Sequence, residues 1–183
     1  MSKSNHLEAW LAQEDLIRKT MDAGPGPGVA TAQQIAGKTG LEVMQALLRG
    51  ELPYAHIAQT LDFTLIEVSH GHATFQGTPG QAHLNPMGTV HGGWFATLLD
   101  SALGCAVHTR MAPGLAYTTA ELSVNMVRAL TPKVSRVRAQ GRVIHCGRQL
   151  ATAEGRLIGP DGTLYAHATT TCLVFQLTPQ SAP

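Results

Sequence analysis

The sequence predicts an α+β fold in which an antiparallel sheet of about six strands wraps around one long central helix. Three observations support this prediction. Residues 92–109 form an apolar segment with helical spacing. Segments before and after it alternate apolar and polar residues, as half-buried strands do. Turn residues separate those segments.

The chain begins with an appendage that glycine and proline separate from the rest. A short amphipathic stretch over 7–21 is followed by the alternating Gly-Pro run at 24–28. With 183 residues, the chain is long enough for one domain with a core and a terminal extension. We therefore predict a helical and linker appendage, one domain and a C-terminal tail, over 1–36, 37–178 and 179–183 respectively.

The domain is predicted to open with a helix and a hairpin. Residues 41–48 have helical apolar spacing and are followed by Gly50 and Pro53, which end helices. A helix-turn-helix over 31–41 is disfavoured because no basic recognition helix follows it. The strand-like runs 61–69 and 72–77 flank a His-Gly turn, which indicates a hairpin.

The central helix carries one carboxylate, Asp100, on a face of small side chains. Large apolar residues occupy another face, which we expect in the core. A carboxylate in such a run costs free energy unless it is hydrogen-bonded, paired or solvated. Asp100 therefore either bonds a neighbouring group for structure or serves a functional site. The small-residue face comprises Gly93, Ala96, Thr97, Asp100 and Gly104.

Four further segments after the helix are predicted to be strands because apolar and polar residues alternate along them. Turn chemistry separates them at 131–132, 146–147 and 159–162, and the last of these turns is typical of a hairpin. The predicted strands are 117–128, 134–145, 149–158 and 164–177.

A glycine-rich turn, Asn85-Pro-Met-Gly-Thr-Val-His-Gly-Gly93, precedes the central helix. The backbone N–H of Gly92, at a helix N-terminus, is placed to stabilise an oxyanion. A glycine there also lets a substrate carbonyl come close to the backbone. The carboxylate of Asp100 would then act as a general base on water or as a nucleophile, and the residues leave both possibilities open.

Composition excludes several other classes of function. Basic and acidic residues nearly balance, 13 against 12, so nucleic acid is not an expected partner. Neither a signal peptide nor a membrane span is apparent, and the three cysteines lack disulfide or CxxC spacing, so we expect a cytoplasmic protein. The nine histidines lack the spacing of metal ligands, and we expect no metal.

Residues 41–177 resemble the hotdog-fold acyl-CoA thioesterases of the phenylacetyl-CoA, or PaaI-like, type. The resemblance rests on the order of elements and on Asn85, Gly88, His91, Gly92, Gly93 and Asp100. It implies an acyl-CoA substrate with an aryl or medium-chain acyl group, and no cofactor because coenzyme A is part of the substrate. It also implies a homodimer with sites at the interface, often paired into a homotetramer.

The resemblance further assigns roles to individual residues. It places Asp100 on one subunit and Asn85, His91 and Gly92 on the other. Asn85 would orient the attacking water or the thioester, and His91 would support the turn. Thr119 would place a hydroxyl near the acid. Gly104 departs from a variant of the pattern that has a second polar residue there.

Coenzyme A carries phosphates, so basic residues at strand ends and turns are candidate contacts. The alternative is that each is a solvated surface charge. Gly93 and the Gly147-Arg148 hairpin are further candidates, the hairpin because it resembles one that meets the nucleotide in this family. The basic candidates are Arg128, Lys133, Arg136 and Arg148.

Two alternatives to a thioesterase remain from the sequence. A hotdog dehydratase or hydratase pairs a histidine with an acid in a different motif, and no His-Phe-Pro-type turn is present. A non-catalytic acyl-CoA-binding protein or regulator could use the N-terminal appendage as a contact arm. Asp100 discriminates against it, because a pure binder needs no carboxylate beside the thioester.

Overall fold

The computed structural model describes residues 3–177. The predicted boundary at residue 178 and the predicted tail at 179–183 lie outside these residues. The helices are α1 Lys3–Asp22, α2 Ala32–Ile35, α3 Gly40–Leu48, α4 His56–Thr60 and α5 Gly92–His108, with a 3₁₀ turn at Gln81–His83. The strands are β1 Phe63–Ser69, β2 His72–Gly77, β3 Leu115–Met126, β4 Val137–Cys146, β5 Leu150–Ile158 and β6 Leu164–Gln176.

The six strands form one antiparallel sheet in the order β1-β2-β4-β5-β6-β3, and α5 packs across one face. The predicted fold class is thereby confirmed. Glycines allow the helix to come close to the sheet: a Cβ at Gly141 would lie 2.3 Å from the carbonyl oxygen of Ala102. Leu98, Leu99, Ala102 and Leu103 of the helix are fully buried, so the core lies between α5 and the sheet.

Differences between the predicted and observed strands after α5 include the end of β3 and the start of β4. The segment predicted at 117–128 is strand at Leu115–Met126, because the N–H groups of Val127 and Arg128 both donate to the carbonyl of Tyr165 rather than continuing the ladder. The next segment, predicted to start at 134, begins at Val137, since Val134 closes a turn on Thr131.

Short helices account for the other differences. Leu61, predicted as the first residue of a strand, instead caps α4, and β1 begins at Phe63. Both α2 and α4 are only four or five residues long. Helical periodicity needs more residues than that to become visible in a sequence.

The N-terminal helix packs on the outer face of the sheet, opposite α5. Phe75 and Gly77 of β2 face the core, so Gln76 between them faces outward. Gln76 donates a hydrogen bond to Glu14 of α1 at 2.8 Å. Among the described residues, no helix is long and apolar enough to cross a membrane.

Candidate active site

The turn before α5 is held by the side chain of Asn85. Its Oδ1 accepts hydrogen bonds from the backbone N–H groups of Met87 and Thr89, at 2.9 and 3.3 Å. Its Nδ2 donates to Thr89 Oγ1 at 2.8 Å. Gly88 has a φ of 81°, which only glycine adopts at little cost. The amide of Asn85 therefore shapes the loop that delivers the chain to the helix.

His91 is the N-cap of α5. Its Nδ1 accepts a hydrogen bond from the N–H of Gly93 at 2.9 Å, and its own N–H donates to the carbonyl of His83 at 2.7 Å. The imidazole thus caps the helix rather than facing Asp100. Nδ1 must be unprotonated to accept this bond.

Gly92 is the first residue of α5, where a backbone N–H has no acceptor within the helix. The partial positive charge of a helix N-terminus gathers at the same point. The end of the Met126 side chain lies beside it, with Sδ 2.8 Å from where a Cβ on Gly92 would stand. This N–H is therefore a suitable donor to a developing negative charge.

Asp100 is half-buried, and Thr119 of β3 donates a hydrogen bond from Oγ1 to its Oδ1 at 3.0 Å. The two residues predicted to work together are thus in contact. The bond orients the carboxylate and leaves its second oxygen for other partners. Such an oriented carboxylate can accept a proton from water or attack a carbonyl carbon.

Two titratable groups near Asp100, the Cys105 thiol and the Tyr117 phenol, are neutral at neutral pH. Burial, assisted by the negative charge of Asp100, raises the pKa of the Cys105 thiol to about 12. Burial also raises the pKa of Tyr117 well above its ordinary value, with smaller contributions from Cys105, Cys172 and Asp100. The Cys105 thiol is consequently protonated at neutral pH and is not a nucleophile.

Within one chain, Gly92 and Asp100 are far apart. They are separated by eight residues of a continuous helix, which corresponds to about 12 Å along its axis. A reacting carbonyl must lie about 3 Å from both its oxyanion donor and the attacking group. One chain alone therefore does not bring Gly92 and Asp100 to the same carbonyl.

Two of the basic candidates lie at opposite ends of the sheet. Arg128 follows the end of β3 that lies near Gly92, whereas Gly147 and Arg148 form the β4–β5 hairpin at the other end. Both arginines are exposed, and Gly93 is exposed near the Arg128 end. One chain does not bring these groups together.

Arg136, one of the candidate contacts for coenzyme A, is engaged within the chain. Its Nε donates to the buried carboxylate of Glu14 at 2.5 Å, and Nη1 donates to the carbonyl of Ser135 at 2.7 Å. The reason is that α1 covers this part of the sheet. Lys133, by contrast, is exposed.

Tyr117 was not among the site residues predicted from the sequence. Its hydroxyl lies against Gly104, one helical turn beyond Asp100: a Cβ on Gly104 would be 2.6 Å from it. The period of two along a strand places Tyr117 on the same face as Thr119 and could have identified it. Its contact also explains why position 104 is a glycine.

Away from Asp100, the outer face of the sheet forms a concavity of about 870 Å³. Polar side chains line it, including Thr74, Gln140, Arg156 and His167. No group of three or more metal-ligating side chains occurs within the described part of the chain.

Comparisons with known proteins agree with this arrangement. A model of the thioesterase superfamily matches residues 87–166, which include the end of the glycine-rich turn, α5, β3, β4, β5 and the start of β6. A phenylacetic acid degradation-related protein from Ralstonia eutropha JMP134 is 30% identical, with a TM-score of 0.65, over 70% of this chain and 97% of the other. The curated proteins include no significant match.

Two further solved structures are similar. A thioesterase family protein from Silicibacter pomeroyi is 25% identical, with a TM-score of 0.61, over 66% of this chain and 90% of the other. A variant of the phenylacetic acid degradation protein PaaI from Thermus thermophilus is 26% identical, with a TM-score of 0.58, over 64% of this chain and 96% of the other. On these similarities and its six-stranded sheet around α5, the chain belongs to the PaaI-like hotdog thioesterases and is a thioester hydrolase.

Proposed function

We propose that this enzyme hydrolyses an acyl-CoA thioester with an aryl or medium-chain acyl group, releasing the free acid and coenzyme A. The observation that carries the proposal is the carboxylate of Asp100, oriented by Thr119 at 3.0 Å on the helix that presents Gly92 at its N-terminus. This pairs an acid with an oxyanion donor, which acyl transfer requires.

Each site is built from two subunits. Because Gly92 and Asp100 are about 12 Å apart on one helix, a carbonyl that meets both must use Gly92 of one chain and Asp100 of another. The edge strand β3 suits such an association: it is 12 residues long and pairs on only one side within the described chain. Long unpaired edges are seldom left open to solvent.

Two chemical routes use the same groups. In the first, Asp100 takes a proton from water as the water oxygen attacks the thioester carbon. In the second, the carboxylate itself attacks, coenzyme A leaves as its thiolate, and water then cleaves the mixed anhydride. In both, the Gly92 N–H stabilises the oxyanion before the C–S bond breaks.

The remaining predicted residues support this chemistry. The contacts of Asn85 and His91 favour positioning roles, since their side chains hold the turn and cap α5. Thr119 holds the carboxylate. Arg128 and the Gly147-Arg148 hairpin, brought together from different subunits, are candidates for the phosphates of coenzyme A, and Gly93 is a candidate for contact with the thioester arm.

The test is release of coenzyme A from a panel of acyl-CoAs by the native enzyme and by Asp100→Asn, which keeps the size of the side chain but removes its charge. We expect kcat to fall by roughly 10²–10⁴-fold, the range that acid–base groups contribute. Asp15→Asn, at an exposed site on α1, is the control and should retain full activity.

Two results would contradict the proposal. Undiminished turnover by Asp100→Asn would remove Asp100 from the mechanism. Binding of acyl-CoAs without turnover by the native protein would instead favour an acyl-CoA-binding protein. Circular dichroism of both variants establishes that their folds are unchanged.

A further inference from the structure

Tyr117 is a large side chain that the proposed chemistry does not use. It lies on β3 two residues before Thr119, so both side chains project toward α5. Thr119 meets the helix at Asp100, and Tyr117 meets it at Gly104, one turn farther along. The two contacts place the phenol next to the proposed catalytic carboxylate.

The contact at Gly104 depends on the absence of a side chain. A Cβ on Gly104 would lie 2.6 Å from the Tyr117 hydroxyl oxygen and 3.0 Å from Cε2. Real Cβ contacts are not that short, so any larger residue at Gly104 would push the ring outward. Gly104 thus lets the phenol fill the groove between α5 and β3.

The Tyr117 side chain is held on both sides. Gly104 of α5 lies against its hydroxyl end, and burial raises the pKa of the phenol, while the residue as a whole is partly exposed. His108 packs on the other side of the ring, with the ring centroids 5.8 Å apart.

We propose that Tyr117, seated on Gly104, forms the end wall of the acyl pocket and limits the size of the acyl group. This inference rests on the proposed function, in which the thioester carbon lies within about 3.5 Å of the attacking group at Asp100. An acyl group that continues along α5 toward its C-terminus meets the phenol one turn later. The wall admits compact acyl groups and stops long ones.

The test is the ratio of kcat/KM for decanoyl-CoA to that for hexanoyl-CoA in the native enzyme and three variants. Tyr117→Ala removes the wall and should raise the ratio by about tenfold or more, since one methylene in an apolar pocket changes kcat/KM by about 10–200-fold. Gly104→Ala pushes the ring outward and should lower the ratio. Tyr117→Phe keeps the ring and should leave the ratio within about twofold of its native value. A twofold change is small beside the change in kcat/KM that one methylene causes.

Tyr54→Ala is the matched control. Tyr54 is also a partly buried tyrosine, but it contacts Asp22 of α1 at the β1 edge of the sheet, far from Asp100. It should not alter the ratio. If Tyr117→Ala does not fold, Tyr117→Leu replaces it and should raise the ratio in the same direction.

The experiment distinguishes an incorrect role for Tyr117 from an incorrect proposed function. Suppose that Asp100→Asn abolishes the native activity but that neither Tyr117→Ala nor Gly104→Ala changes the ratio. This result would overturn the role of Tyr117 and leave the proposed function standing. If no acyl-CoA is hydrolysed, the ratio of dissociation constants for the same two acyl-CoAs is measured by calorimetry. A shift of that ratio in Tyr117→Ala supports the wall, and no shift overturns it.

Discussion

At the residue scale, the proposed role of Gly92 depends on one backbone hydrogen atom. Proline suits the first position of a helix, and the residue before it, His91, already has the φ and ψ of −62° and 137° that proline favours. Gly92→Pro therefore removes the N–H with little change to α5. We expect kcat to fall roughly 10²–10³-fold, as when other oxyanion donors are lost.

Gly92→Ala is the control for this variant. Alanine keeps the N–H while adding the same Cβ, which meets only the flexible end of Met126. Its kcat should remain within about threefold of native, since the oxyanion donor is retained. Equal losses in the two variants would show that crowding at Met126, rather than the N–H, limits turnover.

Site residues could be predicted from the sequence where their neighbours along the chain made them unusual. Asp100 was conspicuous because a carboxylate in an apolar helix needs a reason, and Gly92 because it stands at a helix start. Tyr117 was missed because its importance comes from Gly104, which is distant in sequence and lies on another element. The bond of Arg136 to Glu14 was not predicted, because Glu14 precedes Arg136 by 122 residues.

At the element scale, α1 is attached to the sheet by a buried carboxylate. Glu14 is 3% exposed and accepts hydrogen bonds from Arg18, Gln76 and Arg136. Arg138 extends the network: it donates to Gln76 and packs 4.3 Å from the centroid of the Trp10 ring. These bonds span β2, β4 and the helix, so they fix where α1 lies.

The pH dependence of this attachment follows from Glu14. Burial raises the pKa of Glu14, but hydrogen bonds from Arg136, Gln76 and Arg18 outweigh it and leave the pKa below its ordinary value of 4.5. A lowered pKa means that the folded state binds this proton less readily than the unfolded state. The stabilisation is therefore complete above pH 4.5 and is lost as the pH falls through the lowered pKa.

We predict that Glu14→Ala destabilises the docked helix by about 1–3 kcal/mol, because it leaves the buried Gln76 amide and the partly exposed Arg18 and Arg136 without their acceptor. Hydrogen exchange of the α1 amides at neutral pH should accelerate accordingly. Asp15→Ala is the control, since Asp15 is exposed and bonds only Lys19 of the same helix. Unchanged α1 protection in Glu14→Ala would show that apolar contacts alone hold the helix.

The elements differ in how far the sequence predicted them. Long elements with many periods, such as α5 and β6, were predicted to within one residue. Strand ends were less certain because alternation continues past the last ladder bond, as at Val127 and Arg128. The docking of α1 was not predicted, since an amphipathic pattern does not indicate which surface will cover its apolar face.

At the scale of the whole molecule, the two edges of the sheet differ. Helices α1, α3 and α4 all contact β1, so that edge strand is covered. The edge strand β3 carries Thr119 and Tyr117 and pairs only with β6 among the described strands. An association through β3 would therefore bring the two copies of Asp100 and Gly92 into one interface while leaving α1 on the periphery.

Mixing two inactive variants tests whether the site is shared. In a hybrid dimer of Asp100→Asn and Gly92→Pro chains, one site receives both changes, and the other receives Asp100 and Gly92 intact from different subunits. Random mixing makes half of the dimers hybrids, each with one intact site of two. Equal amounts unfolded and refolded together should recover about a quarter of native activity, as expected for a twofold-symmetric dimer.

The control is the same mixture prepared without unfolding, together with each variant refolded alone. A dimer made of one variant has a defect in each of its sites. Each variant refolded alone should therefore stay near its own low activity. If each site instead lay within one chain, the refolded mixture would not recover activity, because every chain would carry a defect in its own site. Recovery that requires joint refolding therefore follows only from a catalytic unit in which Gly92 and Asp100 meet across two subunits.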